Sequence, residues 1–198
     1  IVSGIMLALR EIEHKNFSID SLVGDTRITD GRKIYDAIKS NLYRANVTPD
    51  TKRDKLLSQF SVIKDTTKIN EKDATLGKTP LRHYTEFLYN SIYKNIRYHN
   101  SAEDYLGRFY GEFMSYSGGD GQTLGIVLTP KHITELFCDL AQLKTTDKVF
   151  DPCCGTAGFL IAAMHKMVKM TEDESQRRSI KRDQLFGIEL QSYMFTIA

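Results

Sequence analysis

The stretch "VFDPCCGTAGFL" at residues 149–160 contains the most informative pattern in this chain. A short apolar run ends in Asp-Pro, two adjacent cysteines follow, and two glycines flank a Thr-Ala pair. Apolar residues at helical spacing predict a helix from about Thr156 to Met170, and QLFGIEL at residues 184–190 predicts a second strand. Strand, glycine turn, helix and strand form a βαβ unit, so we expect a parallel sheet with a right-handed crossover.

Two kinds of site are disfavoured at this glycine turn. Cys153 and Cys154 are adjacent and rarely reach one metal ion in tetrahedral geometry, and only Cys138 could assist them. The chain has no CxxC redox pair, so small thiols in a tight turn are the simpler interpretation of both residues. A P-loop has the pattern GxxxxGK[ST], and no Lys follows Gly158 here. We therefore predict neither a metal site nor a P-loop.

Two acidic residues stand at the predicted strand tips, Asp151 after the first strand and Glu189 after the second. At the carboxyl ends of a doubly wound sheet, a glycine turn lets the backbone approach a ligand, and the following helix presents free N–H groups. Two acids with few basic residues disfavour a pyrophosphate and favour a nucleoside with a cationic or amino-bearing arm, such as S-adenosylmethionine. The alternative is that Asp151 only caps the turn and that Glu189 is an exposed strand end.

The first 115 residues have apolar side chains at helical spacing and predict a domain of about five helices. Residues 1–14 predict a short amphipathic helix, TDGRK at residues 29–33 predicts a turn, and residues 65–79 predict a loop with at most one helical turn. Asp50 or Thr51 is the expected cap of the helix after Pro49, and another helix is expected from Pro80. A further helix is expected around Tyr105, Leu106, Phe109 and Phe113.

The glycine-rich segment SYSGGDGQ at residues 115–122 marks the clearest break in the chain. We therefore predict a helical domain over residues 1–115, a linker over 116–125 and the start of an α/β domain over 126–198. Pro130 begins a helix whose apolar residues at helical spacing are Ile133, Leu136, Phe137 and Leu140.

The overall composition is that of an ordinary globular protein, with 41% hydrophobic and 26% charged residues among 198. No apolar run approaches the roughly 18 residues of a membrane span, and the start lacks the features of a signal peptide. Three cysteines without a regular spacing favour a reducing cytoplasm. The net charge of +2 does not itself indicate nucleic acid, and TKRDK (51–55) and QRRSIKR (176–182) are best interpreted as solvated helix faces. Because the chain opens on Ile1, we expect it to be part of a longer protein.

Two segments together resemble a known family. LGIVLTPKHITELFCDLA (124–141) followed by VFDPCCGTAGFLIAAM (149–164) resembles the adenine-N6 DNA methyltransferases of restriction-modification systems, in particular the modification (methylase) subunits of type I systems. The likeness covers about residues 105–190, and the front hundred residues match in helical character only. It implies an α-helical amino-terminal domain followed by the beginning of an α/β Rossmann-like class I SAM-dependent methyltransferase domain.

The resemblance also implies site residues. IVLTPK matches the segment that contacts the methionine end of the cofactor, DPxxGTxG matches the cofactor loop, and the acid of the second strand matches the group that binds ribose. Many relatives have Gly where Ala157 stands, and one methyl group is tolerated there if φ stays negative. The cofactor-binding residues implied in this way are Ile126, Val127, Leu128, Thr129, Pro130, Lys131, Asp151, Pro152, Gly155, Thr156, Ala157, Gly158, Glu189 and Leu190.

One family motif is missing from this chain. The family holds the flipped adenine with an [N/D]PP[Y/F] motif, whereas Pro49, Pro80, Pro130 and Pro152 each stand alone. We therefore expect no catalytic residue here and an amino-terminal fragment that is inactive by itself. The open edges of so small a sheet favour self-association.

The resemblance implies that the parent protein transfers a methyl group from S-adenosyl-L-methionine to adenine N6 in double-stranded DNA. The expected partners are specificity and restriction subunits or fused domains. Two alternatives remain open. One is a methyltransferase acting on RNA, protein or a small molecule, and the other is a non-catalytic helical module that binds DNA or protein.

Overall fold

The computed structural model describes residues 1–94 and 129–198. The chain divides into two compact units, Ile1–Asn100 and Ser101–Ala198. The helix expected around Tyr105–Phe113, the linker 116–125 and the predicted site residues Ile126, Val127 and Leu128 lie outside the described residues. The domain limits given above therefore stay a prediction.

The described part of the first unit is helical, as its periodicity indicates. Its elements are α1 (Val2–Arg10), a 3₁₀ turn (Ile19–Ser21), α2 (Asp30–Arg44), α3 (Asp50–Asp65), α4 (Thr67–Asn70) and α5 (Pro80–Leu88), which continues into a π-helical segment (Tyr89–Tyr93). The single turn α4 is the only helix between residues 66 and 79, as expected for that polar stretch.

The core of the first unit is formed by one apolar face of each long helix. The largest completely buried side chains include Ile5, Leu9, Ile34, Ile38, Phe60, Ile63 and Leu81. Burying a side chain of this size stabilises the fold by about 1.5–3 kcal/mol. The 3.6-residue period of the sequence is thus the direct cause of this helical packing.

Two local predictions, one for a turn and one for a helix cap, are wrong. TDGRK is not a separate turn, because α2 already begins within it. The Thr29 side chain caps α2 by accepting the Arg32 N–H at 3.2 Å, and Asp30 lies inside the first turn of the helix. At α3 the N-cap is Pro49, and neither Asp50 nor Thr51 caps the helix with its side chain. The expected start of α5 at Pro80 is confirmed, with Thr79 as its N-cap.

Two acidic side chains are fully buried in the first unit. The Glu11 carboxylate accepts hydrogen bonds from Asn16, Asn41 and Arg44. Asp30 accepts the Gly24 N–H at 3.0 Å and the Thr79 hydroxyl at 2.6 Å. Because protein donors satisfy both carboxylates, their burial supports the fold and does not indicate a ligand site.

The second unit contains a small parallel sheet flanked by helices. Its elements are α6 (Lys131–Leu140), β1 (Val149–Asp151), α7 (Gly158–Lys169), α8 (Glu174–Asp183), β2 (Leu185–Gly187) and α9 (Ser192–Ile197). The strands pair in parallel with Val149 opposite Leu185, Phe150 opposite Phe186 and Asp151 opposite Gly187. The predicted order of strand, glycine turn, helix and strand is therefore present in the described residues.

Two details of this unit differ from expectation. The helix α7 begins at Gly158 and not near Thr156, because Ala157 has a left-handed backbone that cannot continue a helix. On α6 the buried residues are the small Thr134 and Cys138, whereas the larger Leu136 and Phe137 are 48% and 57% exposed. Small side chains on this face let α6 approach α7 closely.

The two faces of the sheet differ in their surroundings. Val149 and Leu185 pack against a small core of Cys138, Ala162 and Ala163. On the opposite face, the neighbouring side chains of Phe150 and Phe186 are 60% and 46% exposed. No helix in the described ranges is long and apolar enough to cross a membrane.

Candidate cofactor-binding corner

Backbone hydrogen bonds hold the glycine turn against the segment that follows β2. The Ile188 N–H donates to the Asp151 carbonyl at 3.0 Å, and the Cys154 N–H donates to the Ile188 carbonyl at 3.0 Å. Parallel pairing therefore continues past the end of both strands and brings the turn at residues 152–157 onto residue 188. We call residues 151–158 with 187–191 the corner.

Glu189 lies directly against the turn. Its Oε2 accepts the Gly155 N–H at 2.9 Å, and its Oε1 accepts the Gln191 N–H at 2.6 Å. The side chain is half-buried, so the alternative of a merely exposed strand end does not describe it. The structure thus brings this acid to the glycine turn from 34 residues further along the chain.

Asp151 lies at the same corner and has a structural contact of its own. Its Oδ1 accepts the Cys153 N–H at 3.0 Å and caps the turn, as the alternative interpretation expected. The residue is half-buried at the end of β1. Capping uses one carboxylate oxygen, so it leaves acceptor capacity for a ligand.

The turn needs two residues in the left-handed backbone region. Gly155 has φ of +57° and Ala157 has φ of +66°. The negative φ that was the condition for tolerating a methyl group at position 157 is therefore absent. The Ala157 N–H donates to the Cys154 carbonyl at 2.7 Å. This hydrogen bond closes the turn with Ala157 in the left-handed region. For a residue with a Cβ this conformation costs about 1 kcal/mol.

The three glycines of the corner differ in whether, and for what reason, the structure requires glycine at that position. Gly155 needs its positive φ, and an added Cβ would meet only the Met194 methyl at 3.7 Å. At Gly158 an added Cβ would have 4.0 Å to Thr134 as its nearest contact, so neither backbone nor packing among the described residues requires glycine. At Gly187, which sequence reasoning missed, the Cβ would lie 2.7 Å from the Cys154 sulfur. A glycine at the end of a strand was the one available signal.

The beginning of α7 faces this turn and lies beside α6. The Thr134 methyl is the nearest atom to the position of an added Gly158 Cβ, and the rings of Phe137 and Phe159 meet edge to face with centroids 5.5 Å apart. The first N–H groups of any helix lack partners within that helix, and α7 has no acidic residue in its first turn. Anionic ligand groups are favoured at such a position.

The remaining predicted site residues in the described part of the chain differ in exposure. Thr156 is buried, Pro152 is exposed, and Leu190 is 91% exposed. Thr129, Pro130 and Lys131 are exposed at the start of α6, where the Pro130 carbonyl accepts the N–H groups of Ile133 and Thr134.

The cysteines of the corner have different environments. Burial raises the pKa of the Cys154 thiol, and the carboxylates of Asp151 and Glu189 raise it further. Cys153 is exposed, and Cys138 is buried in α6. Among residues 1–94 and 129–198, no three His, Cys, Asp or Glu side chains come together in a group that could hold a metal ion.

Comparison with known proteins identifies the family to which the part of the chain containing this corner is similar. Residues 101–198 match the family described as N-6 DNA Methylase, and the chain belongs to this family through that half. Across all of its length the chain is 42% identical to the type II restriction enzyme and methyltransferase RM.BcgI of Heyndrickxia coagulans. It is also 33% identical over 67 residues to the type I restriction enzyme MjaIX methylase subunit of Methanocaldococcus jannaschii.

The fold has a relative among solved structures. A modification subunit assigned to a type I restriction enzyme of Vibrio vulnificus YJ016 aligns with 99% of this chain at a TM-score of 0.55 and 18% identity. The aligned part is 45% of that subunit. The chain spans 31% of the length of RM.BcgI and 12% of the MjaIX subunit.

Proposed function

We propose that the corner binds S-adenosylmethionine and that the full-length protein transfers its methyl group to adenine N6 in double-stranded DNA, within a restriction-modification system. The observation that carries the proposal is the hydrogen bond between Glu189 and the Gly155 N–H, which joins the second acid to the glycine turn. Family membership and the named relatives support the same activity.

The residues present suit this cofactor chemically. Its sulfonium and ammonium groups are cationic and its ribose donates hydrogen bonds, so a corner with two carboxylates and no basic side chain suits it. The cofactor's own carboxylate suits the N–H groups at the start of α7. When bound, the cofactor supplies an electrophilic methyl group.

Glu189 can bind ribose without first leaving the turn. A carboxylate has about four acceptor sites, and two backbone N–H groups use two of them here. Two ribose hydroxyls can donate to the others. In this proposal Glu189 holds the ribose, Asp151 faces the cationic arm, and Gly158 leaves room for the nucleoside.

The remaining elements of the proposal concern the whole protein. We assign the second unit to the beginning of a Rossmann-like class I methyltransferase domain, because β1, α7 and β2 follow the βαβ order with parallel strands. The base-holding [N/D]PP[Y/F] motif is assigned to sequence outside this chain, which is inactive alone. Specificity and restriction subunits or fused domains are the proposed partners, and a cytoplasmic location stays a prediction.

Cofactor binding by the full-length protein tests this proposal. Calorimetry with S-adenosylmethionine is expected to show affinity reduced about 10- to 100-fold in Glu189→Ala, because hydrogen bonds to a charged group are lost. Gly158→Ala is expected to weaken binding at least tenfold without lowering the melting temperature, because only the ligand requires the space. Asp183→Asn, which changes an exposed carboxylate of the same unit, is the matched control.

A methylation assay completes the test. Duplex DNA incubated with the full-length protein and labelled cofactor is expected to gain N6-methyladenine. Unchanged cofactor affinity in both the Glu189→Ala and Gly158→Ala variants would remove the corner from the binding site, and methyl transfer to RNA or protein alone would replace DNA as the substrate.

A further inference from the structure

Gly187 occupies the last position of β2, opposite Asp151 in the register. A Cβ added there would lie 2.7 Å from the Cys154 sulfur, 3.1 Å from the Cys154 Cβ and 3.0 Å from a Leu160 methyl. Its φ is outside the left-handed region, so the backbone conformation does not demand glycine. Glycine is required at position 187 only because there is no space for a Cβ.

The atoms around Gly187 differ in how far they can move. The backbone of Cys154 is fixed on both sides, because its N–H donates to the Ile188 carbonyl and its carbonyl accepts the Ala157 N–H. Leu160 is buried in the first turn of α7. The sulfur makes the closest contact, whereas the Leu160 methyl and the Cys154 Cβ need to give by only a few tenths of an ångström. An added Cβ at position 187 therefore presses on the turn chiefly through the Cys154 sulfur.

A displacement of the turn reaches both acids of the corner. The residue after Gly187 makes the two backbone hydrogen bonds that join Asp151 and Cys154 to this segment. One residue further, Glu189 accepts the Gly155 N–H. The fit between positions 187 and 154 therefore governs how the glycine turn lies against the segment with the second acid.

We propose that Gly187 is a positioning residue whose size match with Cys154 fixes the glycine turn at the spacing that the cofactor requires. The proposal rests on the proposed function for its effect on cofactor binding. The size match itself is independent of the ligand and can be measured without it.

A set of variants of the full-length protein tests the size match. Gly187→Ala is expected to lower the melting temperature and to weaken S-adenosylmethionine binding at least tenfold. Cys154→Ala removes the sulfur and gives the reference affinity with which the double variant is compared. The double variant Gly187→Ala/Cys154→Ala is expected to regain most of the affinity, because the closest of the three contacts is gone.

The matched control is Gly187→Ala/Cys153→Ala, which removes the neighbouring, exposed thiol and is expected to rescue nothing. With cofactor at saturation, the methyl-transfer rate of Gly187→Ala is expected to change less than its KM for the cofactor. A general loss of folded protein would lower the rate and leave KM unchanged.

Each outcome decides the matter. Wild-type affinity in Gly187→Ala, or a double variant no better than Gly187→Ala alone, overturns the proposal. If Gly187→Ala does not fold, a folded double variant that binds cofactor supports it, and an unfolded double variant overturns it. If the wild-type protein binds no cofactor, the proposed function fails, while the melting temperatures still show whether Cys154→Ala rescues Gly187→Ala.

Discussion

Ala157 ends the glycine turn with a left-handed backbone, although it carries a Cβ and is buried. The surrounding hydrogen bonds hold it there, since its N–H closes the turn on the Cys154 carbonyl and its own carbonyl accepts the Ile161 N–H of α7. One residue thus carries conformational strain so that both the turn and the helix can form.

Ala157→Gly is expected to raise the free energy of unfolding by about 0.5–1 kcal/mol, because glycine adopts a positive φ without strain while its greater freedom in the unfolded chain offsets part of the gain. Denaturant unfolding measures the change. Ala163→Gly, in the buried interior of α7, is the matched control and should lose about 1 kcal/mol. A loss of the same size in both variants would contradict the left-handed assignment.

At the scale of the elements, two threonines cap helices of the first unit but differ in burial. Thr29 caps α2 near the surface. Thr79 is 1% exposed, accepts the Arg82 N–H of α5 and donates its hydroxyl to the buried Asp30. One side chain therefore supports the beginnings of both α5 and α2.

Thr79→Ala is expected to lower the free energy of unfolding by about 2–3 kcal/mol, because it removes a cap and leaves a buried carboxylate short of a donor. Thr29→Ala should cost only about 1 kcal/mol. Thermal or chemical unfolding gives both values, and Thr79→Ser should recover most of the loss. Equal losses in the two alanine variants would mean that the contact with Asp30 contributes nothing.

Glu86 of α5 gives this unit a dependence on acid pH. Hydrogen bonds from Arg82 and then from Lys78 hold the pKa of Glu86 below its ordinary value. A lowered pKa in the folded state stabilises the protein above the ordinary carboxyl range, and the stabilisation is lost as pH falls through the folded pKa.

Glu86→Gln is therefore expected to cost about 1 kcal/mol at neutral pH, a value kept small by partial solvent exposure. The difference from wild type should shrink as the pH falls into the acid range. Unfolding curves measured at several pH values show this convergence. A constant difference at every pH would mean that the charge of Glu86 has no part in the effect.

Local patterns could predict the parts of the fold that depend on neighbours in sequence. The glycine turn, the two strands and the helix between them follow from a few adjacent residues each. TDGRK could not be placed correctly, because Asp30 is buried and accepts the hydroxyl of Thr79, which lies 49 residues away. On α6, the choice of Thr134 and Cys138 as the buried residues depends on the shape of α7, which periodicity does not contain.

The same division applies to the candidate site. Asp151 and Glu189 could be predicted to lie at the same edge of the sheet, because parallel strands end at one edge. The left-handed Ala157 and the steric role of Gly187 could not, since each depends on atomic contacts with Cys154 that form only in the folded turn.

At the scale of the whole molecule, the chain contains two units that differ in their cores. The first is filled by large aliphatic and aromatic side chains from its helices. In the second, small residues of α6 and α7 pack against one face of a two-stranded sheet. Self-association through the sheet edges stays a prediction, to be tested by the mass of residues 1–198 in solution.

Ile38→Ala removes a fully buried side chain of the first unit and is expected to cost about 3 kcal/mol. If the units fold independently, cofactor affinity of the full-length protein should stay within twofold of wild type. Met167→Ala, equally buried in the second unit, is the matched variant and should reduce both stability and affinity. Limited proteolysis measures the stability of each variant, and calorimetry measures its cofactor affinity. Equal loss of affinity in both variants would show that the units are energetically coupled.

The link from Glu189 to Gly155 has a consequence for the speed of binding. The acid already touches the turn before any ligand arrives, so the loss of chain entropy at the corner has occurred during folding. The proposed cofactor would meet a preorganised surface, so its binding should follow a single exponential phase whose rate rises linearly with cofactor concentration. Substitutions here should then act chiefly on how long the complex survives.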